Sequence, residues 1–339
     1  VSSATDTDTP NFSPAIILGT DVNCTSTPLV RVIDPVTGIV KTKFYAYEPT
    51  FRGGVRIFGQ DMTGDGIDEI ITAPGPGRVG EIRVWSQNGV EFPAYRTFPF
   101  GTEYIGGIEV TAGRVISANS VQLIASKSTG VSQVSVFQVT PGAIDPIANT
   151  SIRTFQPFPS SFRGGATVTT ADVGTFAGRQ FISSNPDHIA EIVVGSGPGM
   201  FATVNVYNAV PLYPVLVNTF NPISPSFRGG VSVSTLYGVP AAADAILVAA
   251  GVGGGSTVNT FVGVNKIKSA AFAAFYGTSA NRSPVYTAAI DASNIFSVQG
   301  SGGKINGVNK NTNPNGGTSS TLIASKSFES PLRIGILRR

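Results

Sequence analysis

The residues best suited to chemistry form one short run, Asp61-Met62-Thr63-Gly64-Asp65-Gly66-Ile67-Asp68-Glu69. Oxygen donors at alternating positions, with glycines permitting a sharp bend, are what a hard cation of Ca²⁺ size requires. Asp61, Thr63 and Asp65 would ligate through their side chains, Ile67 through its carbonyl, and Glu69 would close the loop. A metal-free polar turn is the competing reading of the same residues. The counterparts elsewhere have decayed: Asp172-Val173-Gly174-Thr175 keeps one carboxylate, and residues 236–244 keep only Asp244. One intact loop among degenerate ones implies local stabilisation by a metal, not a metal-driven activity.

Three arginines, Arg52, Arg163 and Arg228, share one repeat position and could ring a central channel as an anion site. The plainer expectation is that their guanidinium groups satisfy backbone carbonyls of neighbouring blades. His188 is the only histidine and stands in Asn185-Pro186-Asp187-His188, which reads as a solvated loop with no matched nucleophile. Gly195-Ser196-Gly197-Pro198-Gly199 and Gly251 to Gly255 resemble phosphate-cradling loops only superficially. Neither precedes a helix or the Lys-Ser/Thr pair of a nucleotide loop, so both read as turns. Cys24 is the single cysteine, which excludes an internal disulfide and a Cys/His zinc cluster. It reads as an idle thiol, with an intermolecular bridge or a metal ligand as alternatives.

The elements that must hold these residues are visible as a repeat. Phe51-Arg52-Gly53-Gly54 returns as Phe162-Arg163-Gly164-Gly165 and Phe227-Arg228-Gly229-Gly230, and more weakly as Tyr104-Ile105-Gly106-Gly107. Each phrase opens the same series of short strands. In the best copy, Phe51 to Phe58 is the first strand, Ile70-Ile71-Thr72-Ala73 the second, Glu81 to Trp85 the third and Tyr95 to Phe98 the fourth. Pro74-Gly75-Pro76-Gly77 closes the second, and Asn88-Gly89 is a strong hairpin turn. Four antiparallel strands in about 50 residues is the size of a propeller blade. Phe98, Phe155, Phe220 and Phe275 then fall at one repeat position and read as packing between blades.

The expected fold is all-β, one propeller of about six (alternatively seven) four-stranded blades, spanning approximately 15–50, 51–103, 104–161, 162–226, 227–284 and 285–339. The first blade lacks an inner strand. Leu322 to Ser327 repeats the hexapeptide Leu123 to Ser128, a second strand, so Leu332 to Leu337 reads as a third strand with no fourth after it. Residues 1–14 form an extension that could close the ring on the last blade, add to a neighbouring molecule as a donated strand, or hang as a tail.

Composition sets the remaining bounds. The 339 residues include 40 Gly and 23 Pro, only 13% are charged, and the net charge is +3, too little and too scattered to indicate a nucleic-acid partner. No apolar stretch approaches a membrane span. Val1 in place of Met and a Ser/Thr/Asp-rich start fit a mature chain whose signal peptide has been removed, and equally a chain trimmed for other reasons.

Phe51-Arg52-Gly53-Gly54-Val55, then Asp61 to Gly66, then Glu69 to Gly77 and Ile82-Arg83-Val84-Trp85, resembles the FG-GAP repeat of integrin α-chain heads and of many secreted bacterial proteins. The resemblance is strong over residues 51–100, clear over 162–207 and partial over 227–261. It implies a secreted or surface-displayed propeller used in adhesion or assembly. The loop Asp61–Glu69 is similar to that family's Ca²⁺ loop, with Thr63 in place of Asn or Asp and Glu69 in place of Asp, departures that lower affinity or leave the site empty.

Three functions follow, in order of preference. The first is a non-enzymatic structural or adhesive surface propeller whose partner is itself, as a homo-oligomer or self-assembling filament or layer, or another surface protein or glycan. The second is a monomeric module binding a glycan or protein, which an exposed cluster of Tyr45, Tyr47, Trp85 and Tyr95 would favour. The third, a polysaccharide-active enzyme, needs convergent carboxylates or a Tyr/His/Arg group in the channel, which the sequence does not supply.

Overall fold

In the computed structural model, residues 14–22, 27–238, 242–263, 267–274, 282–300, 308–311, 320–324 and 332–338 are described. They form an all-β propeller of six small antiparallel sheets arranged in a ring. From the channel outward, blade 1 consists of Leu332–Leu337, Ala15–Thr20, Leu29–Ile33 and Val40–Tyr45. Blade 2 consists of Val55–Gln60, Glu69–Pro74 and Arg83–Trp85. Blade 3 is built from Ile108–Ser117, Ser120–Lys127, Val134–Gln138 and Arg153–Phe155. Ala166–Ala171, Glu191–Ser196, Val204–Asn208 and Val215–Phe220 make blade 4, which also carries a small hairpin, Thr175–Ala177 with Gln180–Ser183. Blade 5 is Val231–Leu236, Ala245–Ala250, Thr257–Val262 and Ile267–Ala273; blade 6 is Val285–Asp291, Asn294–Gln299, Val308–Asn311 and Ser320–Ala324.

Each junction between blades has its own apolar core, and the six cores complete the circle. Ile17, Val30, Val55 and Trp85 join blade 1 to blade 2. Ile16, Leu18, Phe296 and Leu332 join blade 6 back to blade 1. Fourth-strand aromatics pack on third-strand aromatics of the next blade: Phe155 lies 4.5 Å from Tyr207 and Phe220 4.7 Å from Phe261 between ring centroids. Inter-blade packing therefore accounts for both, as the sequence suggests, while Phe98 is 42% exposed and Phe275 lies outside the described residues.

The paired glycines clasp the top of the blades that carry them. A Cβ on Gly53 would collide with the Pro76 carbonyl, one on Gly164 with that of Pro198, and one on Gly229 with that of Val252. The second glycine takes the left-handed conformation, with φ of 82° at Gly54, 69° at Gly165 and 77° at Gly230. Its carbonyl then accepts the amide of Gly75, Gly197 or Gly251 from the turn after the second strand. The repeated phrase thus ties the entry of the inner strand to the neighbouring turn.

The structure corrects the strand assignment in three places. Leu332–Leu337 is not a third strand of the last blade. It is the inner strand of blade 1, paired antiparallel with Ala15–Thr20 from Ala15↔Leu337 to Thr20↔Leu332. The C-terminal strand therefore closes the ring, the role considered above for residues 1–14; residues 1–13 lie outside the described set. Ser320–Ala324 is the fourth strand of blade 6, not a second one, and Val308–Asn311 is its third. In blade 2 the expected fourth strand, Tyr95 to Phe98, is reduced to the bridge Ile82↔Thr97 after a 3₁₀ turn at Pro93–Tyr95. Pro93 lacks the amide that a ladder requires.

Candidate functional site

Antiparallel alternation places the loops that enter the inner strands on one face of the ring and the loops that leave them on the other. The Asp61–Glu69 loop belongs to the second face. Gly64 and Gly66 adopt φ of 80° and 87° and supply the bend. Asp61 accepts the amides of Gly64 at 2.6 Å and Gly66 at 2.9 Å, and Asp65 accepts that of Ile67 at 2.8 Å. Glu69 is buried; its Oε2 accepts the amides of Met62 and Thr63 at 2.8 and 3.0 Å, and its Oε1 accepts the Thr63 hydroxyl at 3.4 Å. Burial pushes its carboxyl up to about 7. The oxygen-rich donor set suits a hard cation chemically, with Glu69 already engaged by the loop's own backbone. Among the described residues no three His, Cys, Asp or Glu side chains converge as a metal-binding group.

The Glu69 contacts recur in other blades, a feature the sequence reading missed. Gln122, also the residue before the apolar run of its second strand, accepts the amides of Val115 and Ile116 at 2.9 and 3.1 Å through Oε1. Glu191 accepts that of Val173 at 3.2 Å, and Asp244 accepts that of Gly238 at 2.8 Å. The shared task is to satisfy amides of the loop between first and second strands. The signal was present as a polar residue directly before Ile70, Leu123 and Ile192. Gln122 performs the task without charge, so the position is structural in origin.

At Glu191 the charge is costly. The side chain is buried, and desolvation, reinforced by the nearby Asp172 and Asp187, raises its carboxyl to about 9. From the ordinary value of 4.5 up to about 9, the unfolded chain releases a proton that the folded chain retains, so stability falls as pH rises through that window. The slope is about 1.4 kcal/mol per pH unit. Glu191→Gln is expected to raise the melting temperature at pH 8 and to flatten the profile between pH 5 and 9. A thermal denaturation series across that range checks it, and an unchanged slope would contradict the assignment.

The channel is lined by all six inner strands, and the second residue of each faces it: Arg56, Glu109, Thr167, Ser232, Tyr286 and Arg333. The internal cavity is only about 100 Å³. Glu109 is held between two arginines, by Arg56 Nε at 3.1 Å and Arg333 Nη1 at 3.1 Å. Arg333 Nε also reaches Asp21 at 2.9 Å, and its guanidinium covers the Tyr286 ring at 3.8 Å. The other side of the channel carries hydroxyl groups that stitch adjacent strands, with Thr167 donating to the Val231 carbonyl at 2.9 Å and Ser232 to that of Val285 at 2.6 Å. Its polar groups are committed to one another.

The repeat arginines do not line this channel. Arg52 Nη1 donates to the carbonyls of Pro49 and Phe51, and Arg163 Nη1 to those of Ser160 and Phe162. Arg228 lies over the Phe201 ring at 3.9 Å. The expectation that these groups satisfy carbonyls of neighbouring blades fails at Arg52 and Arg163, whose carbonyl partners belong to their own turn. On the opposite face a wider mouth of about 540 Å³ is lined by Asp61, Asp68, Asp172, His188, Asp244 and Arg338 among others. His188 is exposed, with φ of 64°, and its backbone amide bonds to Asp172 at 2.7 Å.

Of the four aromatic residues that would form a platform, Tyr47, Trp85 and Tyr95 are buried, and only Tyr45 is exposed, at 50%. Tyr47 is a core residue, donating to the Glu81 carbonyl at 2.9 Å. Gly197 and Gly251 serve the blade clasps, as the turn reading requires. Cys24 lies outside the described residues, and no helix among the described residues is long and apolar enough to cross a membrane. No protein-family model matches the chain, and no curated protein matches it either.

Proposed function

We propose that the protein is a non-enzymatic structural or adhesive propeller of the FG-GAP type, displayed outside the cell and able to assemble with itself. The observation that carries this reading is the channel: its ionic groups, Arg56, Glu109, Arg333 and Asp21, neutralise one another in place. A substrate would have to break these pairs, which are costly to separate once partly desolvated. The loops and faces of the disc are then the surfaces with work to do. Immunogold labelling of intact, unpermeabilised cells tests the location; label confined to the interior would refute surface display.

Calcium at the Asp61–Glu69 loop is part of the same proposal, with Asp61, Thr63, Asp65, the Ile67 carbonyl and Glu69 as donors. The ion would supply local cross-linking only. Because Glu69 already holds two amides and a hydroxyl, the loop must surrender those bonds. Half-saturation in the range of about 0.1–1 mM is therefore expected, as in extracellular calcium modules. Calorimetric titration of chelator-treated protein measures it, and a nanomolar constant would show that Glu69 is not so restrained.

A further inference from the structure

In blades 2, 4, 5 and 6 the disc carries an arginine on one face and aspartate on the other. On the entry face, Arg52, Arg163 and Arg228 each stand three residues before an inner strand. Arg282, in a blade without the repeat phrase, stands three residues before Val285 in the same setting. Its carbonyl accepts the Gly253 amide at 2.7 Å, as Arg163 accepts Gly130 at 3.0 Å and Arg228 accepts Gly199 at 2.9 Å. All four side chains are exposed, and none has a carboxylate within salt-bridge distance among the described residues. The exposed carboxylates of this face, among the described residues, are Glu48, held by Arg78 at 3.1 Å, and Glu103.

On the exit face, the inner strands of these same blades run into aspartates. Blade 2 presents Asp61 and Asp65, blade 4 Asp187 along with the exposed Arg179 and with Asp172 bound to the His188 amide, blade 5 Asp244, which accepts the amides of Gly238 and Asp172, and blade 6 Asp291. Blade 3 inverts the pattern, being entered past Ile105 and left into Arg114, both exposed. The corresponding position before the inner strand of blade 1, Glu329, lies outside the described residues.

We propose that a second copy of this chain docks coaxially, its aspartate-bearing exit face on the arginine-bearing entry face of the first. This rests on the self-assembly reading above and names the surfaces that perform it. Placed one above the other without rotation, two discs set the arginines of blades 2, 4, 5 and 6 against the aspartates of the same blades. In blade 3, Ile105 meets the stem of Arg114, and no like charges are opposed there. The contact is heterologous, so each disc keeps one free face of each sign and the product is an open stack. Charge complementarity of this kind fixes register and speeds encounter more than it adds affinity, so association depends on ionic strength. An acidic polymer would also suit the arginines but would leave the matched aspartates without a role.

Sedimentation velocity of the full chain tests this at low salt and at about 1 M NaCl, where the screening length falls to about 3 Å. Stacking is expected to weaken at least tenfold, roughly, in the high-salt sample. Two double variants, Arg163→Glu with Arg282→Glu and Asp187→Lys with Asp291→Lys, are each expected to stay monomeric. Each sets like charges against one another in blades 4 and 6 of its own stack, and mixing the two restores opposite charges there, so alternating stacks should return. Thermal melts of each variant control for folding. Wild-type assembly that ignores salt and both reversals would overturn the stacking while leaving self-assembly standing. A wild type monomeric at every concentration in low salt would overturn both. Association only in the presence of an added acidic polysaccharide would assign the arginine face to that ligand and overturn the stacking.

Discussion

Removing the last eight residues, Leu332 to Arg339, is expected to abolish cooperative folding of the whole propeller. The segment is the inner strand of blade 1, and it places Leu332, Ile334, Ile336 and Leu337, all buried, into the cores on both sides of that blade. Full burial of side chains of this size contributes about 2 kcal/mol each, so the four together approach the whole net stability of a typical domain, about 5–15 kcal/mol. The deletion also exposes the edge of Ala15–Thr20, a completely buried strand, to pairing with other chains. Circular dichroism melts should show loss of the sharp transition, with aggregation on heating. A synthetic peptide of the C-terminal strand added in trans should restore part of it. A truncated protein that melts like the full chain would mean that the ring does not depend on this closure.

Glu109→Leu is expected to be the most damaging point substitution in the channel. It strips the carboxylate from between Arg56 and Arg333, and Arg56 is only 6% exposed. Breaking a buried pair by removing one partner costs about 3–5 kcal/mol, because a charge is left without compensation. Arg333 retains Asp21, whereas Arg56 keeps only the Gly53 carbonyl at 3.0 Å. The melting temperature should therefore fall by roughly 10 °C. The double variant Glu109→Leu with Arg56→Met should recover much of the loss, since an apolar pair can replace an ionic one. Equal losses in the single and double variants would place the effect in packing instead of charge.

The outline of the fold was legible in the sequence because it depends on local rules. The Phe-Arg-Gly-Gly phrase marks a backbone that only glycine can follow, and the apolar runs Ile70-Ile71 and Ile192-Val193-Val194 mark second strands buried on both faces. Position within a blade was less legible, since it is set by which strand lies alongside. The hexapeptide at Leu123 to Ser128 recurs at Leu322 to Ser327, yet the first contributes to a second strand and the other overlaps a fourth. Likewise Leu332 to Leu337 has an alternation that suits any strand, and only its pairing with Ala15–Thr20 makes it an inner one.

The site features divide in the same way. The glycines and alternating oxygens of Asp61–Glu69 are a local pattern and were read directly. The Glu109 cluster joins residues that are distant in sequence, with Arg333 lying 224 positions from Glu109, and no spacing announces it. Arg282 was missed because Asn281-Arg282-Ser283-Pro284 shares only the arginine with the repeat phrase; its place is marked by its distance from Val285. A net charge of +3 conceals the opposed faces, because composition sums what the antiparallel blades separate.

Electron microscopy of the protein purified from its native source, at low salt and without chelator, shows whether the propeller assembles with itself. Six-lobed discs in face view should join into stacks in side view and come apart at high ionic strength. Discs that remain single at every concentration and salt would contradict the claim that this propeller works as a self-assembling structural unit.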